Sequence, residues 1–110
     1  MPTIRTTPAV RALLIATISA FLIALIADTF LHMRVIETFG VVPTLFFDKY
    51  YFWQPFTYMF MHGDLFHILF NMLILWMIGS ELEAGWGTKA FLKYYFVCGI
   101  SAALFYLAIQ

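Results

Sequence analysis

Three blocks of this chain are apolar enough, for long enough, to cross a lipid bilayer as helices. The first is Ala12 to Ala27, which reads ALLIATISAFLIALIA without a charge. It follows Thr7 and Pro8, which suit the cap and first position of a helix, so a span over about residues 8–31 is predicted. The second, Leu65 to Ser80, is entered through Gly63 and Asp64, whose carboxylate can accept from the first amides, and a helix over about 64–82 is expected. The third begins near Thr88, another candidate cap, and runs over 88–110; as a helix its 23 residues would measure about 34 Å. Lys89 and Lys93 near its start suit headgroup depth, where their stems lie along apolar surface.

Arg5 and Arg11 ahead of the first block also admit a signal peptide, but Leu25 to Ala27 is a poor small-x-small cleavage site, and the two later blocks mark an integral membrane protein in either case. Between the first two spans, residues 32–63 hold Tyr50, Tyr51, Phe52, Trp53, Phe56, Tyr58 and Phe60, too aromatic for a solvated loop. A segment lying in the bilayer interface is expected there, with a short helix between Pro55 and Gly63. Lysine and arginine divide four (Arg5, Arg11, Lys89, Lys93) against two (Arg34, Lys49) across such a path, which favours a cytoplasmic N-terminus.

Composition strengthens this reading. The 110 residues are 64% apolar and 11% charged, whereas a soluble domain is roughly 45–50% apolar and about 25% charged. A formal net charge of zero leaves no basic field for a phosphate backbone, so nucleic acid is not an expected partner; the lipid bilayer is. Cys98 is the lone cysteine. His62 and His67 have no carboxylate or thiol at ligand spacing, so neither a metal nor another cofactor is implied. At the end of the first span, Asp28 and His32 are four apart and suit an interfacial pair.

Polar side chains inside a span need a reason. His67 and Asn71 lie four apart, hence on one face of the second helix within its first two turns. Asn71 could bond a neighbouring helix as packing glue, with His67 at the wet helix end. Alternatively, the two could form an oxyanion site, stabilising negative charge that develops on a carbonyl oxygen during acyl transfer. Spacing alone does not choose.

The surrounding residues carry more. Trp53-Gln54-Pro55-Phe56-Thr57, Met61-His62, His67-x-x-x-Asn71 and Gly79-x-x-x-Glu83-x-x-x-Gly87, followed by Phe91 and Tyr95, resemble the N-terminal part of the rhomboid family of intramembrane serine proteases. The resemblance runs from about Phe39 to Ile100. It implies an all-α, polytopic bundle with three transmembrane helices in this chain, and oxyanion roles for His67 and Asn71 at a site reached by water from the extracytoplasmic side. By the same resemblance Trp53 and His62 shape the first loop, and Gly79, Glu83 and Gly87 pack and turn the second helix into the third. Many members have arginine where Gln54 stands.

In that family the nucleophile is the serine of a Gly-x-Ser-Gly motif on the fourth helix, and the base is a histidine on the sixth. Ser19, Ser80 and Ser101 stand in no such motif. Ser101, with Cys98, Gly99, Ala102 and Ala103, is better read as part of a face of small residues for close helix packing. The expectation is therefore a single rhomboid-like domain over 1–110 that is an incomplete piece. It would be the N-terminal half of an endopeptidase that cuts peptide bonds in or beside the transmembrane segment of a protein substrate. The alternative is a rhomboid-like pseudoprotease that binds such segments without cutting them.

Overall fold

The computed structural model describes residues 5–110. Three helices long and apolar enough to cross a membrane, Pro8–Phe30, Leu65–Trp86 and Thr88–Ala108, form the first, second and third spans of an all-helical protein. The second span runs four residues beyond its expected end at 82, because nothing in Glu83-Ala84-Gly85-Trp86 breaks the backbone before Gly87. Gly87 adopts φ 89°, a left-handed turn open to glycine without a Cβ penalty, and the third span leaves from it. Midway, Leu75–Gly79 forms a π-helical turn that the hydrophobic pattern does not announce.

The core is small and lies toward the Gly87 end, where Ala9, Val10 and Leu13 of the first span meet Leu75 and Phe91. Gly79 makes this crossing possible. A Cβ there would meet Leu75, Val10 and Phe91 side chains at 3.0, 3.2 and 3.3 Å, so all three spans close on that hydrogen. Further along the first span Thr17, Ala24 and Ala27 are buried, while Ile15, Ile23 and Phe30 remain exposed.

The start of the first span is capped from a distance. Thr7 precedes Pro8 but makes no side-chain cap bond. Instead the buried Glu83 carboxylate takes the free helix amides: both oxygens accept from Ala9 N–H at 3.0 Å, and Oε1 also accepts from Val10 N–H at 3.2 Å. The Thr88 hydroxyl donates to Oε2 of the same carboxylate, so Thr88 braces Glu83 rather than capping its own helix. Trp76 donates its indole N–H to the Thr6 hydroxyl at 3.0 Å.

At the other end, Asp28 does not pair with His32. Its two carboxylate oxygens accept from Val35 N–H at 2.7 Å and Ile36 N–H at 3.2 Å, capping the helix Val35–Phe39 that begins the connecting loop. His32 serves by backbone shape, at φ 53°, where the chain turns off the first span. The loop continues through Pro43–Asp48, Gln54–Thr57 and a 3₁₀ turn at Tyr58–Phe60, giving more helix than the single short one expected.

Replacing Glu83 by alanine leaves two buried amides and a hydroxyl without an acceptor. At roughly 1–3 kcal/mol for each unsatisfied group, stability in detergent should fall by about 3 kcal/mol. Glu83→Gln, which keeps one acceptor oxygen, should fall by clearly less; equal losses in a denaturant titration would refute the capping role.

Candidate functional site

Loop 32–63 owes its shape to side chains that occupy main-chain groups. Gln54 is fully buried. Its Oε1 accepts from Val42 N–H at 3.1 Å, and its Nε2 donates to the carbonyls of Glu37 and Thr38 at 3.2 and 3.1 Å. An arginine could not make this set of bonds, since a guanidinium has no acceptor for the Val42 amide. The Trp53 indole donates to the Thr38 carbonyl at 3.0 Å and its ring stacks on Tyr51. Thr57 donates its hydroxyl to the Phe39 carbonyl at 2.6 Å.

This braced loop is fastened to the third span. Phe56 stacks on Phe96 with ring centroids 5.3 Å apart, and the Tyr58 hydroxyl donates to the Gly99 carbonyl. Burial pushes the Tyr58 phenol up from its ordinary pKa. Gly99 is the closest approach: an added Cβ would overlap the Met59 side chain. The small-residue face expected on the third span is thus only partly a packing face. Gly99 receives Met59 and Ala103 is buried, whereas Cys98, Ser101 and Ala102 are exposed.

Between the end of this loop and the spans lies a cavity of about 640 Å³, bordered by Tyr58, His62, His67, Asn71, Tyr94 and Cys98, among others. His67 and Asn71 therefore open on one space, as does the buried His62. Ser101 does not border it. Asp64 shapes its rim by accepting from His67 N–H at 2.8 Å, the cap that starts the second span. Asn71 Nδ2 donates to His62 Nε2 across 3.0 Å. The His62 and His67 rings stand edge to face with centroids 6.1 Å apart. Burial first, and then the positive charge His67 can carry, hold the His62 imidazole below its ordinary pKa, against smaller opposite pulls from the Phe60 backbone and from Asp64. The folded chain thus prefers neutral His62. Stability is complete above the ordinary imidazole value of about 6.5 and is lost as pH falls from there through the lowered folded value.

Gly79, Glu83 and Gly87 lie away from this cavity, at the crossing and turn described above. A second space of about 300 Å³ joins the two regions, bordered by His62 and Asn71 at one end and Gly79 and Phe91 at the other. Among the described residues no three metal-binding side chains converge. Tyr94 and Cys98, which border the larger cavity, were not expected at the site. Their four-residue spacing puts them on one helix face, a signal visible only once it is known which side of the third span meets the loop.

The Rhomboid domain matches residues 49–110, more than half of the sequence. The chain belongs to the rhomboid family. This rhomboid chain is also 29% identical over 77 residues to rhomboid-like protease 3 of Toxoplasma gondii, an alignment covering 70% of this chain and 29% of that protein. The chain thus corresponds to less than a third of that relative's length. No solved structure matches. Family membership and the three spans make this an integral, multi-pass membrane protein.

Exchanging Gln54 for leucine removes the acceptor of Val42 N–H and the donor to the Glu37 carbonyl. Amide exchange at Val42 should accelerate, and the loop should loosen by about 2 kcal/mol. Unchanged protection at Val42 would show that Gln54 does not brace this loop.

Proposed function

We propose that this chain supplies the oxyanion side of a rhomboid-type intramembrane serine endopeptidase, with nucleophile and base contributed by sequence outside residues 1–110. The observation that carries the reading is that His67 and Asn71, one turn apart on the second span, border one cavity under the loop. Two side-chain N–H donors at one space suit an oxygen that gains charge as a peptide carbonyl becomes tetrahedral. The relative's name, rhomboid-like protease, supports the same chemistry. The substrate class is the transmembrane segment of another protein, cut in or beside the bilayer. In this reading Trp53 and His62 hold the loop that walls the site, while Gly79, Glu83 and Gly87 hold the spans beneath it.

The orientation proposed is a cytoplasmic N-terminus. Ala9 and Val10 rest on Glu83, and Thr88 joins them, so Arg11 and Lys89 lie near one end of the bundle, while Arg34 and Lys49 belong to the loop at the other. The excess of positive charge then faces the cytoplasm, and the cavity opens toward the extracytoplasmic side, where water can reach it.

In the longer protein that carries these residues, Asn71→Ala should lower kcat on a fluorogenic transmembrane substrate by about 10²–10³-fold with little change in KM, the signature of a lost transition-state donor. An unchanged kcat would assign Asn71 to helix packing. Substrate binding without cleavage by the unmutated longer protein would point to the pseudoprotease.

A further inference from the structure

Asn71 carries two amide protons, and one is already committed to His62. For Nε2 of His62 to accept it, that nitrogen must be unprotonated, which places the imidazole proton on Nδ1. Nδ1 is buried and makes no hydrogen bond of good geometry among the described residues, while the Phe60 backbone is near enough to the ring to favour its protonated form slightly. His62 is 9% exposed, so the ring has little solvent to fall back on. Bonded in this way, the Asn71 carboxamide keeps its plane and retains a second N–H.

We propose that His62 is a positioning residue whose neutral ring, accepting through Nε2, orients the Asn71 carboxamide, and that a proton on Nε2 reverses that carboxamide. The inference rests on reading Asn71 as a donor in the site proposed above. An imidazolium would set N–H against N–H at 3.0 Å, and an arrangement of two facing donors cannot persist. Turning the carboxamide about its terminal torsion puts Oδ1 toward His62, where it accepts the new Nε2–H, and carries the amide protons to the other side. One N–H bond forms, at Nε2 with a proton taken from solvent; no bond between heavy atoms changes, and the oxyanion donor is withdrawn.

Several groups face His62 and set where this happens. Asp64 follows it on the same connection, and His67 stands across from it on the second span. Tyr58 belongs to the loop, and Tyr94, Tyr95 and Cys98 to the third span. Burial and the His67 charge oppose protonation and outweigh the Phe60 backbone and Asp64, which favour it, so the reversal belongs on the acid side of the ordinary imidazole range, with the donor in place at neutral pH.

The test is NMR of the isotopically labelled 110-residue chain in detergent micelles, following the Asn71 side-chain amide and the His62 ring nitrogens through an acid titration. At neutral pH, Nε2 should show the shift of an unprotonated nitrogen, and the Asn71 amide pair should move with the same midpoint as the His62 ring. In His62→Gln, which can still accept the bond but cannot titrate, the Asn71 pair should stay near its neutral-pH position throughout. In His67→Gln the titration of Asn71 should survive. A protonated Nε2 at neutral pH, an Asn71 amide that does not move, or a titration that persists in His62→Gln or vanishes in His67→Gln would each overturn the proposal. Since no substrate takes part, failure here is distinct from failure of the endopeptidase reading, which is judged by turnover of Asn71→Ala.

Discussion

One buried carboxylate holds the bundle together. Helix starts leave amides unbonded, and in a membrane protein those amides have no water in the hydrocarbon to turn to. Here the first span has no side-chain cap of its own, and Glu83, more than seventy positions away, accepts from Ala9 and Val10. The negative group also lies at the positive end of the helix dipole. With Thr88 bonded to the same group, the start of the first span, the end of the second and the start of the third converge on one point. The close crossing at Gly79 is one turn away, so polar and apolar contacts reinforce each other.

From that anchored corner the spans extend toward the loop, where few of their side chains are buried. The loop ties the far ends together by occupying main-chain groups: Asp28 takes two amides, Gln54 bonds three peptide groups, and Tyr58 reaches a carbonyl inside the third span. Each bond satisfies a backbone group that an interfacial loop could not leave bare at low cost. The cavity with His62, His67 and Asn71 is the space left between these fastenings.

Much of this was legible in the sequence. The three spans follow from unbroken apolar blocks, and the Asp64 cap follows from its place one residue ahead of the helix. The pairing of His67 with Asn71 on one face follows from a spacing of four. Less legible were contacts made across the fold. Asp28 was four residues from a histidine, but the groups it serves are amides, which carry no side-chain signature. Thr7 and Thr88 look like caps, yet the acceptor in use is Glu83, whose partners lie far away in sequence. Gln54 differed from the residue many family members have, and only the Val42 amide explains why an acceptor is useful there. The bond from Asn71 to His62 spans nine residues and depends on how the chain folds over between them.

The π-helical turn at Leu75–Gly79 separates the two ends of the second span. Relative to an unbroken α-helix, one additional residue there rotates everything beyond it by about 100°. Asn71 and Glu83 are therefore set by a clocking that simple residue counting across the span does not reproduce. A single-residue deletion within this turn would act as a twist, swinging the Glu83 carboxylate off the first span while His67 and Asn71 kept their place.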